Sequence, residues 1–232
     1  MIQAGKNAAH SPDAQREDIQ LPRNRTEQMV LDSRKIDLLS YLKNGTRAPM
    51  QPSDVETAAG KLAIDLAQSG KPAFDRSHFA PGHFTASAFV LSPQGDELLL
   101  LLHQKLGLWL QPGGHIEPGD AHFRAAALRE LEEETGLRDV AVLSPLFDID
   151  VHAIPPIGND PKHCHIDLRV LVQSRERQVI AGDGAEQVGW FSLSYLARAD
   201  PSISDELNTD ESVRRSARRI VQLQSDTAGR KG

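Results

Sequence analysis

Cysteine and long apolar runs are what this 232-residue sequence most lacks. Cys164 is its single cysteine, which excludes an intrachain disulfide and a cysteine-rich zinc site. No stretch approaches the ~18 consecutive apolar residues of a membrane-spanning helix. The first residues also lack the apolar segment of a secretory signal. We therefore expect a cytoplasmic protein with no membrane partner.

An excess of basic residues is missing as well. The formal net charge is -6, whereas a nucleic-acid-binding chain is usually basic. This charge argues against nucleic acid as a partner. An acidic protein that binds phosphate groups needs local positive charge or a bound cation.

Changes in composition and apolar spacing divide the chain into four segments. Residues 1–26 are polar and lack an apolar period, which predicts a mobile tail. Residues 27–76 predict an N-terminal helical extension, and residues 80–200 predict the main domain. Residues 203–225 predict a C-terminal helix, with its strongest signal from Asp205 to Gln224.

The N-terminal extension has the pattern of a helical hairpin. Apolar residues are spaced helically from Thr26 to Leu42, and a second helix is predicted from Ser53 to Gln68. Ser53 and Glu56 have the spacing of a capping box at its start. We expect this hairpin to serve packing or a homodimer contact rather than catalysis.

The main domain mixes strands with a central loop and helix. A Pro-Gly-Gly loop at residues 112–114 precedes a helix predicted from Ala121 to Thr135. A short helical turn is predicted from Leu193 to Ala197. The predicted strands are Phe84 to Leu91, Leu98 to Leu102, Asp139 to Val151, His165 to Val172 and Val188 to Phe191.

Three glutamates gather on one side of the central helix. At about 100° per residue, Glu130, Glu133 and Glu134 fall within an arc of roughly 100°. Three close carboxylates repel one another, and a divalent cation with oxygen ligands, such as magnesium or manganese, would remove that penalty. Arg129 precedes Glu133 by four positions and can pair with it. The alternative interpretation is a solvated acidic helix face.

The order of residues from Gly114 to Leu137 resembles the Nudix box. The second half of the family pattern matches fully, from Arg129 to Leu137. In the first half, Gly114 is followed after five residues by Asp120, where the family usually has glutamate. Eight residues instead of seven separate Asp120 from Arg129. The segment Val-Gly-Trp-Phe-Ser-Leu at residues 188–193 resembles the strand and turn that often close the domain.

This resemblance implies an α/β fold, an α/β/α sandwich on a mixed sheet, with the N-terminal hairpin and the C-terminal helix added. It implies hydrolysis of a diphosphate linkage in a nucleoside diphosphate derivative or similar small molecule, with Mg²⁺ or Mn²⁺. Glu133 and Glu134 would bind the metal, and Glu130 would be a further ligand or the base. Gly114 would supply a backbone carbonyl, and Arg129 would orient a glutamate. The alternative is a Nudix-fold ligand-binding or regulatory protein without catalysis.

Histidines and acids outside the box form a second pattern. Asp148, Asp150 and His152 alternate along one predicted strand, so they share a face. His163, His165 and Asp167 do the same on the next strand, and His115 follows the Gly-Gly pair. These residues could line the substrate pocket, or they could form a solvated sheet edge. Imidazole also binds transition metals, so a zinc site is a further interpretation.

Two more residues are candidates for substrate contact. Glu186 lies in the region where many members of the family carry a catalytic glutamate, and an exposed loop acid is the alternative. Trp109 could stack on a base, although a large aromatic residue near a glycine loop also suits a core position. The basic stripe of the last helix predicts a solvated face or a subunit contact, with a polyanion site as the alternative; its members are Arg214, Arg215, Arg218 and Arg219.

Overall fold

Seven strands form one mixed sheet in the computed structural model, which describes residues 25–44, 57–182, 184–198 and 207–229. The main strand order is β3-β2-β1-β6-β5, with β4 paired to β1 and β7 paired to β2. The β1–β6 pair is parallel and the other pairs are antiparallel. The strands are β1 (Gly82–Leu91), β2 (Glu97–His103), β3 (Leu108–Leu110), β4 (Gly113–His115), β5 (Val140–Ile154), β6 (His163–Ser174) and β7 (Ala185–Ser192).

Helices lie on both faces of this sheet and complete an α/β/α sandwich. Their bounds are α1 (Arg25–Asn44), α2 (Ala58–Gln68), α3 (Phe123–Thr135), α4 (Leu193–Leu196) and α5 (Glu211–Gly229). One core cluster joins α1, α2 and α3 to one face, and a second joins α4 and α5 to the other. The predicted fold class is therefore confirmed. None of the described helices is both long and apolar enough to cross a membrane.

Strand β1 contributes to both cores because its side chains alternate between the two faces. Phe84 and Ala88 are fully buried in the cluster that contains Leu131 of α3. Phe89 is buried in the cluster that contains Ile220 of α5. A strand covered on both faces has no solvated side, and all ten residues of β1 are buried accordingly.

The N-terminal helix α1 packs on α3, the helix that carries the three glutamates. Leu38 and Leu42 of α1 are buried in the main core. Arg124 of α3 donates two hydrogen bonds to the carboxylate of Asp37, at 2.8 and 3.0 Å. Arg34 donates a bond of 3.1 Å to the carbonyl of Glu117. This confirms the packing interpretation of the extension, whereas the homodimer contact stays a prediction.

Two predicted helix starts are wrong, each for a local reason. Helix α2 begins after Thr57, whose hydroxyl accepts a hydrogen bond from the Gly60 amide at 3.1 Å, so Ser53 is not its cap. The last helix begins at Glu211 rather than near Asp205, because Thr209 instead forms an isolated bridge with Trp109. Residues 45–56 and 199–206 lie outside the described residues, as does the predicted tail except for residues 25 and 26, which belong to α1.

A buried ionic network joins α5 to the sheet. The guanidinium group of Arg169 is 1% exposed and lies within 3.0–3.3 Å of the carboxylates of Asp148, Asp150 and Asp167. Arg169 also donates a 2.8 Å bond to the hydroxyl of Ser212 on α5.

Arginines of α5 extend this network, contrary to the expectation of a solvated stripe. Arg215 donates bonds of 2.6 and 3.0 Å to Asp148 and Asp150. Burial acts to raise the pKa of Asp150, but the His152 hydrogen bond and the charges of Arg169 and Arg215 outweigh it and lower that pKa. Asp148 and Asp150, two members of the polar strand face predicted from the sequence, therefore hold α5 against the sheet.

Replacing Arg169 by methionine should destabilise the fold strongly. The change would leave three buried carboxylates short of a counter-charge, which costs about 3–5 kcal/mol. Arg218→Met is the matched control, since Arg218 pairs with Glu211 at an exposed site and such pairs contribute about 0.2–1 kcal/mol. The free energy of unfolding from urea titration would separate the two variants. Equal values would contradict the stabilising role of the network.

Candidate functional site

Helix α3 fixes the position of the three glutamates through its caps and its apolar side. His122 accepts a hydrogen bond from the Ala125 amide through Nδ1 at 3.0 Å and so caps the start. Gly136 ends the helix in the left-handed conformation, with φ at 74°. Leu131 is fully buried on the apolar side. The opposite side carries the glutamates, as the helical period predicts.

Arg129 is the ionic centre of the site. Its guanidinium donates to Glu130 at 3.0 Å and to Glu133 at 2.9 Å, so the predicted Arg129–Glu133 pair forms. It also donates to both oxygens of Asp120, at 3.2 and 3.0 Å, and to the carbonyl of His115 at 3.0 Å. The hydrogen bonds to Asp120 contribute most to raising the pKa of Arg129. The guanidinium of Arg129 thus binds carboxylates from the helix and from the loop before it.

Asp120 has a structural task, which explains how the shifted first half of the box is accommodated. It is 7% exposed, and its carboxylate accepts the Glu117 amide at 2.8 Å in addition to Arg129. Helix α3 starts only at Phe123, so the extra residue lies in the turn before the first helical turn. The helix itself therefore keeps its spacing of Arg129 and the glutamates.

The Gly-Gly pair brings backbone against the carboxylates. Strand β4 pairs with β1, which places Gly113 opposite Ser87 and Gly114 opposite Ala86. The Gly113 amide donates to Glu134 at 2.9 Å. A Cβ at Gly114 would lie 2.6 Å from Oε1 of Glu130, so only glycine leaves room for that carboxylate.

Crowding and burial make two of the glutamates weak acids. Burial raises the pKa of Glu134 to about 7; the Gly113 hydrogen bond opposes this, and Glu130 and Glu133 add to it. Burial also raises the pKa of Glu130, against the opposing charge of Arg129, with Glu133 adding to the rise. Burial is the main cause of both pKa shifts, and repulsion between the glutamates adds to it.

This donor set suits a hard divalent cation. Magnesium and manganese prefer carboxylate and carbonyl oxygens, which are the groups gathered here. A Cβ at Gly114 would collide with the carboxylate of Glu130, so the loop backbone lies close to that carboxylate. A bound cation would favour the charged forms of Glu130 and Glu134, which burial disfavours.

The predicted histidines come together, and a fourth joins them. The rings of His115, His163 and His165 lie with their centroids 5.2–5.3 Å apart in the two contacting pairs. His83 of β1 lies 4.8–5.2 Å from all three. His152 contacts only the edge of this group, with its centroid 5.4 Å from that of His165.

Charge state distinguishes the inner histidines from the outer one. Burial lowers the pKa of His115 to about 4 and that of His165 to about 3, with neighbouring imidazoles adding to the shift. Burial lowers the pKa of His83 as well. The hydrogen bond to Asp150 instead raises the pKa of His152. His83, His115 and His165 are therefore neutral at pH 7, and the substrate-binding role of the predicted histidines stays a prediction.

Two further candidates lie apart from the histidine group. Trp109 packs edge-on against Phe191, with centroids 4.7 Å apart, and borders the second core cluster. Its role as a core residue is thus favoured over base stacking. Glu186 is exposed on β7. It lies two residues after Gly184, and a Cβ added at Gly184 would lie 3.6 Å from Oε1 of Glu134. Its catalytic role also stays a prediction.

A cavity of about 470 Å³ lies between the start of α2, the middle of β5 and α5. Arg215 and Arg219 line it, and both already pair with Asp148. None of the three glutamates is among its described lining residues. The candidate site therefore rests on the grouped carboxylates and the glycine loop rather than on this cavity.

Sequence reasoning missed His83 and the polar row that begins with it. The predicted strand started at Phe84, which hid the alternation of His83, Thr85 and Ser87 on one face of β1. In the parallel register, His83 lies beside His165 and Thr85 beside Asp167. Extending the alternation one residue toward the N-terminus would have found the row.

The fold is a mixed sheet between helices, and its candidate site consists of a glycine loop and a glutamate-bearing helix. Residues 81–215, more than half of the chain, match the NUDIX domain family. The chain belongs to the Nudix family.

Two curated relatives match parts of the chain. The "m7GpppN-mRNA hydrolase NUDT17" of Xenopus laevis is 41% identical over 71 residues, 30% of this chain and 24% of the relative. The "Probable DHNTP pyrophosphohydrolase" of Lactococcus lactis is 33% identical over 96 residues, 40% of this chain and 55% of the relative. The chain thus spans about a quarter and about half of their lengths.

Solved structures also resemble the chain. A NUDIX family hydrolase from Clostridium perfringens is 26% identical with a TM-score of 0.43, covering 61% of this chain and 97% of that one. A binary complex of the C. elegans Ap4A hydrolase is 15% identical with a TM-score of 0.46, covering 62% and 98%.

The contribution of Glu134 to the stability of the metal-free protein should fall as pH rises from about 4.5 to about 7, whereas the buried histidines, whose pKa values are lowered, act in the opposite direction. The folded-state pKa of Glu134 is raised to about 7. The folded state therefore binds a proton that the unfolded chain releases from about pH 4.5. Below both values this group has no differential effect, and above both the destabilisation is complete. Chemical denaturation in a chelator at pH 5 and pH 8 would measure the fall.

Glu134→Gln provides the comparison, because it removes the titrating group and keeps the shape. Between the two pH values the wild type should lose stability relative to the variant, because both proteins share all other titrating groups. An equal change in both proteins would show that Glu134 does not titrate in this range.

Proposed function

We propose that this protein is a divalent-metal-dependent hydrolase that cleaves a diphosphate linkage in a nucleoside diphosphate derivative or similar small molecule. The observation that carries the proposal is the grouping of Glu130, Glu133 and Glu134 beside the Gly-Gly loop, with Arg129 between them. Family membership supports the same conclusion. The Xenopus relative is named as an m7GpppN-mRNA hydrolase and the Lactococcus relative as a probable DHNTP pyrophosphohydrolase, which favours a phosphate anhydride as the bond cleaved.

Glu130, Glu133, Glu134 and the backbone carbonyl of Gly114 would hold Mg²⁺ or Mn²⁺. The bound ion would offset charge on the diphosphate oxygens and lower the pKa of a coordinated water. Arg129 would keep two of the carboxylates in place when the substrate, itself an anion, approaches. Asp120 would in turn position Arg129, since it accepts two of its hydrogen bonds.

The chain's own groups supply the proton acceptor. Water would attack one phosphorus and the bond from that phosphorus to the bridging oxygen would break, which yields two phosphate-containing products. Glu130 would take the proton of the attacking water, because burial raises its pKa and Arg129 fixes its position. Gly114 would leave the diphosphate room to approach.

Replacing Glu130 or Glu133 on the glutamate-bearing side of α3 should reduce turnover strongly. We expect Glu130→Gln and Glu133→Gln to lower kcat/KM by about 100-fold or more, since a proton acceptor alone contributes about that factor. The assay would follow product release from a panel of nucleoside diphosphate derivatives at fixed Mg²⁺ or Mn²⁺.

Glu132→Gln is the matched control within the same helical turn. Glu132 is 45% exposed and pairs with the exposed Arg138, away from Arg129. It should keep wild-type kinetics. Equal loss in all three variants would refute the assignment, and tight metal and nucleotide binding without any turnover would favour the regulatory alternative.

Adding one methyl group at Gly114 should displace Glu130 without unfolding the protein. The new Cβ would lie 2.6 Å from Oε1 of Glu130, which can move away because it ends a flexible side chain. We expect Gly114→Ala to lower Mn²⁺ affinity by about 10-fold or more, measured by electron paramagnetic resonance.

Gly119→Ala is the control in the same loop, since a Cβ there meets nothing within 4 Å. It should bind Mn²⁺ as the wild type does. Unchanged affinity in Gly114→Ala, at unchanged thermal stability, would place the ion elsewhere.

A further inference from the structure

Three histidines on two neighbouring strands bring their ring nitrogens close to one another. The parallel register of β1 and β6 places His83 directly beside His165, with His163 two residues earlier on the same face. One ligand nitrogen from each ring lies within 4.8 Å of the other two. His83 is 1% and His163 7% exposed, so the group is largely shielded from water.

Hydrogen bonds fix the tautomers of two of these rings. Nδ1 of His83 lies 3.2 Å from the carbonyl of His78, and Nδ1 of His163 lies 2.8 Å from the carbonyl of Pro161. Carbonyls only accept, so both Nδ1 atoms must carry the proton. In the neutral ring, each Nε2 is then left with a lone pair. A ring nitrogen bonded to a backbone carbonyl is the usual outer support of a metal-binding histidine.

The lone pair of His83 has no other use among the described residues. Its Nε2 is buried and has no hydrogen-bond partner there. An unpaired buried polar atom is costly, and the protein keeps it beside two further imidazoles instead of a donor. Simple packing of rings explains the burial, but it does not explain why three nitrogens converge.

We propose that His83, His163 and His165 bind a Zn²⁺ or another imidazole-preferring transition-metal ion at a site separate from the glutamates. The chemistry differs from theirs, since neutral imidazoles suit zinc whereas carboxylates suit magnesium or manganese. Zn–N bonds of about 2.1 Å at tetrahedral angles place ligand nitrogens about 3.4 Å apart. The ligand nitrogens lie within 4.8 Å of one another, so they need to approach by up to about 1.4 Å to reach that spacing.

The fourth position has a protein candidate. The ring of His115 lies 5.2 Å from His83 and 5.3 Å from His165, centroid to centroid. A fourth imidazole would complete a closed structural site, whereas three would leave room for water or a ligand group. His115 directly follows Gly114, so a metal here would lie next to the glycine loop and would brace it.

Cobalt substitution tests the proposal without an activity assay. The full-length protein is stripped with a chelator and titrated with Co²⁺ in excess Mg²⁺, which occupies the carboxylates. A tetrahedral nitrogen site gives intense visible absorption, whereas an octahedral oxygen site gives only weak bands. We expect one equivalent of intense absorption, which one equivalent of Zn²⁺ removes.

Variants of His163 and His165 test whether these residues bind the ion that gives the bands. His163→Ala and His165→Ala should each weaken Co²⁺ binding by about 100-fold or more, because loss of an outer support alone costs about 10–100-fold. His103→Ala is the control, since His103 lies at the end of β2 outside the group. Glu130→Gln should keep the bands, which separates this site from the proposed catalytic one.

Thermal melting with and without Zn²⁺ covers the case of unstable variants. Zn²⁺ should raise the Tm of the wild type and of His103→Ala, and should not raise that of any folded His163 or His165 variant. Absence of the intense bands in the wild type, or their survival in both histidine variants, would overturn the proposal.

Discussion

The site depends on one guanidinium group that holds acidic side chains together against their mutual repulsion. Arg129 donates to Glu130, Glu133 and Asp120 and to the backbone at His115. It thereby ties helix α3 to the loop that precedes it and sets the distance between the carboxylates and the Gly-Gly pair. One positive charge cannot neutralise three carboxylates. Burial raises the pKa values of Glu130 and Glu134, and repulsion from neighbouring glutamates adds to both shifts.

The sheet beneath the site also buries polar side chains on one face, and it accommodates them in two different ways. Toward α5, the acids Asp148, Asp150 and Asp167 are neutralised by the buried Arg169. Further along the same face, the row continues with imidazoles that burial keeps neutral, His83 and His165. One half of the face is thus neutralised by ion pairs, whereas the other contains the buried Nε2 of His83, which has no hydrogen-bond partner among the described residues.

The parts of the fold that could be predicted are those with a local signal. The glutamate arc of α3 follows from the helical period, and the shared faces of β5 and β6 follow from alternation. Strand β4 could not be predicted, because Gly113, Gly114 and His115 carry no alternation and pair only through the distant β1. The use of Asp148 and Asp150 was equally hidden, since their partner Arg215 is more than sixty residues away.

The absence of a local sequence signal also explains why only part of the histidine group could be predicted. Sequence spacing gave the common face of His163 and His165, but the neighbour that completes the group, His83, is set by the parallel register with β1. Parallel strands need a long connection, so no short-range pattern reports which residues become adjacent. A ligand set of this kind becomes visible only when the sheet is assembled. The carboxylate site differs because Glu130, Glu133 and Glu134 share one helix, and a single turn of chain brings them together.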